Sequence, residues 1–128
     1  MPLSALEPQT NAAMTKLYGA PQGAEGLVFR KLIGEQRRSL LHICHSDREL
    51  KTLSQTVPFF LHNTEVVYFP AWDCLPYDRS SPHPSIVAER LAALSKLVHA
   101  KPNQPLLILT TASAIIQRLP PKHRMLEA

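Results

Sequence analysis

Glycine is scarce in this chain, with four in 128 residues against twelve prolines. Proline narrows the conformations open to a chain and glycine widens them, so the connections read as stiff rather than flexible. Cysteine is scarcer still. Cys44 and Cys74 are the only two, thirty positions apart, which excludes a disulfide framework and any clustered metal-ligand spacing. Cys44 lies in an apolar run and reads as a small buried hydrophobe. No apolar run approaches the roughly 20 residues needed to cross a bilayer. The start, Met1-Pro2-Leu3-Ser4-Ala5-Leu6-Glu7-Pro8, lacks the basic region and apolar block of a secretory signal. The expectation is a cytoplasmic protein with no membrane partner.

Catalytic vocabulary is missing too. The six histidines, His42, His45, His62, His83, His99 and His123, include no helical i,i+4 pair and no H-E-x-x-H, so no metal site is expected. No serine stands in a G-x-S-x-G turn, and no carboxylate pair occupies an obviously apolar setting. The stretch Gly19-Ala20-Pro21-Gln22-Gly23-Ala24-Glu25-Gly26 lies ahead of a helix, where a phosphate-binding loop would sit. That loop needs G-x-x-x-x-G-K-[ST], with glycines for close backbone approach, lysine for the phosphates and a hydroxyl for Mg²⁺. Counted from Gly19, the second glycine is Ala24, the lysine is Glu25 and the hydroxyl is Gly26. A carboxylate at the lysine position repels phosphate. Gly19, Gly23 and Glu25 therefore mark a degenerate loop, or an ordinary turn before a helix, and no catalytic residue, bound cofactor or enzyme activity is expected.

What is present suits one domain. Apolar residues make up 45% and the formal charge is +4 with a pI near 9.3, compatible with nucleic acid or an acidic partner. Residues 1–9 read as a leader. A short helix is expected from Thr10 on Ala12, Ala13, Met14 and Leu17, and a second over about 24–36 on Leu27, Val28, Lys31 and Leu32. A buried strand follows at 39–45. Ser46-Asp47-Arg48-Glu49 fits a capping box, opening a helix whose apolar face is Leu50, Leu53, Val57 and Phe60 and which Pro58 should end or bend. A second strand covers 65–69. From Pro84 or Ser85 about fifteen helical residues place Val87, Leu91, Leu94 and Val98 inward, Ile86 and Leu97 alongside, and Glu89, Arg90 and Lys96 outward. A third strand covers 106–110, and Thr111 caps a last helix over 112–118. Residues 122–128 carry no signal of their own. Continuous apolar strands alternating with helices predict an α/β fold with a mostly parallel sheet covered on both faces. Three strands make a thin sheet, so the chain is expected to be one piece of a larger protein or to be completed by another part.

The remaining feature is the connection between the second strand and the third of these helices. Residues 68–84 hold the only tryptophan, two of three tyrosines and four prolines. Proline cannot donate to a ladder, and it restricts the residue before it, so this is an ordered irregular loop. Connections of such length inside compact domains tend to be functional. Trp72, Tyr77, Asp78, Arg79, His83 and Arg90 are the candidate interaction residues. Aromatic and arginine side chains serve interaction surfaces, and with nucleic acid they would stack on bases and pair with phosphates. The alternative is that Trp72 and Tyr77 roof the core and that Asp73 and Asp78 are turn acceptors.

Phe69-Pro70-Ala71-Trp72-Asp73-Cys74-Leu75-Pro76-Tyr77-Asp78-Arg79-Ser80-Ser81-Pro82-His83-Pro84, followed by Ile86-Val87 and Glu89-Arg90-Leu91, closely resembles the N-terminal region of the bacterial transcription-repair coupling factor, Mfd. The run 107–120 resembles that family's next strand and helix, and the likeness is strongest over about 39–121. The resemblance implies a three-layer, helicase-like (P-loop NTPase-like) first subdomain similar to that of the repair protein UvrB, with its phosphate loop degenerate. It implies a subdomain over 1–121 and a tail, 122–128, leading to a second domain. In the family, ATP, Mg²⁺ and DNA translocation belong to downstream motor domains. RNA polymerase is bound by a separate module, and UvrA mainly by the following domain. Adjacent domains are therefore the expected partners of this chain, with DNA contact possible. UvrB inserts a DNA-clamping hairpin where this chain has only the proline-rich connection. Of that connection, Trp72 and Leu75 are expected to be structural, while Asp78, Arg79 and Arg90 hold the loop or meet a neighbour.

Overall fold

The computed structural model describes residues 16–127. The leader and most of the helix expected from Thr10 lie outside those residues, and 16–20 form exposed coil. The elements run α1 (Glu25–Gln36), β1 (Leu40–Cys44), α2 (Asp47–Phe60), β2 (Glu65–Phe69), α3 (Pro84–Val98), β3 (Leu106–Thr111), α4 (Ala112–Ile116) and α5 (Lys122–Glu127).

The three strands form one parallel sheet in the order β1-β3-β2. Parallel pairing needs a crossover between strands, and α2 and α3 supply it. The path steps from β1 past β3 to β2, then back to β3. Crossovers of one hand therefore put α2 and α3 on opposite faces. On one face Leu107 and Leu109 meet Phe29 and Ile33 of α1 and Leu50, Leu53 and Val57 of α2. On the other, Val67, Phe69 and Leu106 meet Ala93 of α3 and Ala114 of α4. Alternating residues of β2 and β3 serve the two cores, which is why the central strand β3 reads as an unbroken apolar run. This is the three-layer α/β arrangement expected.

Local signals explain most boundaries. Ser46 Oγ accepts the Glu49 N–H at 3.2 Å, and Glu49 Oε2 accepts the His45 N–H at 2.7 Å. The capping box is therefore made, with its return limb one residue earlier than the ideal motif. Thr111 Oγ1 accepts from Ala114 N at 3.3 Å and starts α4, which ends two residues earlier than expected, at Ile116. Four features differ from the sequence reading. Helix α2 continues past Pro58 to Phe60, because a proline one turn from the end leaves only the Ser54 carbonyl without its helical donor. Helix α1 turns Gly26, Phe29 and Ile33 inward, while Leu27 is 41% exposed. Helix α3 buries Arg90 and Ala93 and leaves Leu91 49% exposed. Residues 122–127, read as a tail, form α5 against α3.

A half-buried polar side chain borders the core beneath α1. His42 of β1 packs its ring on Phe29 with centroids 4.8 Å apart, and its Nε2 is buried with no hydrogen-bond partner among the described residues. Desolvation lowers its pKa from the ordinary 6.5, against the smaller opposing pull of Glu49 and Glu25. The native state therefore binds fewer protons than the unfolded state, and stability rises with pH across the interval between the two pKa values. Urea unfolding midpoints should fall as pH drops below about 6.5, and His42→Leu should flatten that slope. An unchanged slope in the variant would assign the acid sensitivity to other groups.

Candidate functional site

The proline-rich connection, residues 70–83, leaves the C-terminal end of β2 and returns into α3. It is held by side chains at both ends. Arg90, in the second turn of α3, is 2% exposed. Its guanidinium lies over the Phe69 ring at 4.3 Å and over the Trp72 ring at 4.4 Å. Its Nη1 donates to the Pro70 carbonyl at 2.6 Å and to Gln117 Oε1 at 3.2 Å. The same Gln117 oxygen accepts the Trp72 N–H at 2.9 Å. Strand β2, the loop entrance, α3 and the segment after α4 thus converge on one cation. No carboxylate pairs with it among the described residues. Burial lowers the Arg90 pKa, but arginine stays protonated in proteins.

Arg90 was expected on the wet side of its helix. It is inside because a guanidinium can be solvated by two π faces and two carbonyl-type oxygens without a counter-ion. Taking an ion out of water costs several kcal/mol. Two desolvated cation–π contacts at about 2 kcal/mol each and charge-assisted hydrogen bonds of about 1.5–3 kcal/mol each are of the size needed to offset that.

Beyond Trp72 the loop braces itself. The Leu75 N–H donates to Asp78 Oδ2 at 2.9 Å and the Asp78 N–H to the Leu75 carbonyl at 3.0 Å. Asp73 accepts the His83 N–H with both oxygens at 3.2 Å. His83 N-caps α3, its Nδ1 lying 2.7 Å from Ser85 Oγ and accepting the Ser85 N–H at 3.3 Å. Both aspartates are backbone acceptors, as turn residues should be. Leu75 is 69% exposed and Tyr77 95%, so neither roofs the core. Arg79 is exposed and makes no ion pair among the described residues. Of the six candidates, Trp72 and Arg90 are brought together, Asp78 and His83 hold the backbone, and Tyr77 and Arg79 face solvent. Gln117 was missed. A lone glutamine after a short helix carries no motif, and only the fold brings it to Trp72 and Arg90.

The glycine-containing turn of residues 19–24 precedes α1. Gly19 and Gly23 have φ of 77° and 92°, a left-handed backbone suited to glycine. The Ala24 N–H closes a turn on the Pro21 carbonyl at 3.1 Å, and Glu25 occupies the first helical turn. Gly26 has its own reason to be glycine. A Cβ there would run into the Phe60 ring, with Cγ 2.8 Å away. Close approach of α1 to α2 thus uses the position where a phosphate loop would carry its hydroxyl. Cys44 is buried, and desolvation pushes its thiol up to about 11, with Glu49 adding to the effect, so it is no ready nucleophile. No His, Cys, Asp or Glu cluster able to hold a metal ion occurs among the described residues. No helix among them is long and apolar enough to cross a membrane.

Comparison with known proteins finds relatives of a single kind. The chain is 32% identical over 103 residues to the transcription-repair-coupling factor of Rickettsia bellii, covering 80% of this chain and 9% of that protein. It is 35% identical over 102 residues to that of Haemophilus influenzae, covering 79% and 9%. It is 34% identical over 83 residues to that of Rickettsia prowazekii, covering 65% and 7%. The chain thus spans less than a tenth of the length of these curated relatives. No family model matches it, and no solved structure matches it.

Three substitutions test the packing described. Arg90→Ala should lower unfolding stability by about 3 kcal/mol, through the cavity it opens and the buried Pro70 carbonyl it leaves without this donor. Arg90→Lys should recover little of that, because an ammonium cannot lie flat between two rings. Fluorescence of Trp72, the sole tryptophan, should shift to the red in both. Gly26→Ala should cost about 1–3 kcal/mol through overpacking against Phe60, measured by urea unfolding.

Proposed function

We propose, from the premise that this chain is homologous to one segment of the transcription-repair-coupling factors, that it is a non-catalytic α/β module of such a factor. The observation that carries this reading is 32–35% identity to those proteins over 65–80% of the chain. In this reading the module acts in the cytoplasm, in transcription-coupled nucleotide excision repair. It packs against neighbouring domains while ATP-driven DNA translocation, RNA polymerase binding and most of the UvrA contact belong to other parts.

Three features of the fold favour a scaffold. The position that would need lysine for phosphate holds Glu25, and Gly26 is occupied in helix packing. Strand β1 is at the edge of the sheet, and Leu41 and Ile43, on its α3 side, are 53% and 52% exposed. Apolar side chains beside an open strand edge are what an adjoining domain would cover. The loop 70–83 is braced rather than mobile in its hydrogen bonding, so it presents Tyr77 and Arg79 at a fixed place. A nucleic-acid surface built on Trp72 and Arg90 is less favoured, since each is engaged by the other.

The reading is tested by phosphate release from Mg·ATP. The chain should give no turnover above a heat-inactivated control. Sustained hydrolysis that Glu25→Gln abolishes would replace the scaffold with an enzyme.

A further inference from the structure

The opposite end of the sheet, where the strands begin, carries a cleft of about 430 Å³ that no motif announced. Its walls are the last turns of α1 and α2 and the turns leading into β2 and β3. Arg30, Gly34 and Arg37 line it from α1; the two turns contribute His62, Asn63, Thr64 and Asn103; the rest of the lining is apolar. Among the described residues no Asp or Glu lines it. Neither arginine forms an ion pair among the described residues.

Two of the lining positions depart from what stability alone would choose. Arg37 caps α1 in the left-handed region, at φ 49° and ψ 36°, with its N–H on the Ile33 carbonyl at 2.9 Å. Glycine is the residue that fits that cap without strain. Gly34 sits inside the helix, where a Cβ would meet nothing within 4 Å, so alanine would fit and would favour the helix by about 1 kcal/mol. Both departures lie on one wall of the cleft, one adding charge and the other keeping space open. Local rules broken together at one place mark a functional site more often than a packing solution.

The electrostatics are mixed but resolve in one direction. Helices α1 and α2 both end at the cleft, each presenting about half a negative charge from unpaired carbonyls. Two full guanidinium charges exceed that and leave the cleft cationic. Arginine forks match phosphate oxygens in geometry. The two asparagine amides offer a donor and an acceptor each, the pattern that pairs with a base edge. The volume suits an organic ligand rather than a bare ion.

We propose that this cleft binds a nucleoside phosphate, free or at the 5′ end of a single strand. Arg30 and Arg37 hold the phosphate, and the base rests between the asparagines and the Phe60 side. The site is separate from the Gly19–Glu25 turn, which precedes α1 at its other end, and it neither needs nor supplies hydrolysis.

The test is titration of the chain with dAMP, with a 5′-phosphorylated pentadeoxynucleotide, with its 5′-hydroxyl counterpart and with inorganic phosphate, without Mg²⁺. Binding of dAMP, or of the phosphorylated strand at least tenfold more tightly than its hydroxyl counterpart, is expected. A strand preferred tenfold over dAMP identifies a strand end, and comparable affinity identifies a free nucleotide. Arg37→Gly should weaken binding at least tenfold while the thermal midpoint holds or rises, because glycine relieves the cap. Arg38→Gln, which removes an equal charge outside the cleft, should stay within twofold. The proposal is overturned if neither nucleotide probe binds, if inorganic phosphate or the hydroxyl strand binds as well, or if Arg37→Gly leaves affinity unchanged. ATP hydrolysis would speak to the Glu25 turn and not to this cleft.

Discussion

A single buried cation sets the form of the C-terminal edge of the sheet. Arg90 is reached by the end of β2 through Phe69, by the loop through Pro70 and Trp72, and by the segment after α4 through Gln117. Gln117 and Arg90 are distant in sequence from residues 69–72, and the Arg90 guanidinium joins all of them. Because the charge is satisfied by π faces and neutral oxygens, its stability depends on their arrangement more than on pH. A carboxylate partner would have made the contact titratable. A methionine could fill the volume but would leave the Pro70 carbonyl without this donor, and Gln117 Oε1 with only the Trp72 N–H. The loop entrance is thereby fixed before its prolines act, and those prolines then limit how far the remaining residues can stray.

The loop beyond that anchor obeys the same economy on a smaller scale. Asp73 and Asp78 each take backbone N–H groups that an irregular chain would otherwise leave unpaired. With the polar backbone satisfied internally, Leu75 and Tyr77 can stand out into solvent without the loop collapsing on them. Exposure here results from bracing, whereas exposure of Leu41 and Ile43 results from the sheet ending at β1.

Much of the architecture was legible in the sequence because it rests on local rules. The capping serines and threonines, the apolar strand runs and the proline before α3 each act within a few residues, and each marked its element. Helix phase was less legible. Arg90 was assigned outward on charge alone, since periodicity weighs a guanidinium as polar and cannot see two rings waiting for it. Gly26 looked like a defect in a phosphate motif, yet its neighbour Phe60 lies on another helix. The tail helix α5 carried no apolar stripe of its own because it is held by α3. Gln117 and the cleft at the strand starts were invisible for the same reason, being made by residues that only the crossovers bring together.

The two ends of the sheet show how that division bears on function. In open α/β sheets, ligands usually bind beyond the carboxyl ends of the strands. Here that end carries the proline-rich loop, tied to Arg90 through the Pro70 carbonyl. The amino ends are different. There the turns are short, two arginines have no acidic partner among the described residues, and helix α1 keeps a glycine in its interior and an arginine in a glycine-favoured cap. Stability alone gives no reason to keep a glycine inside a helix or an arginine in a left-handed cap. Their presence on one wall is the reason to look for a ligand at the strand starts.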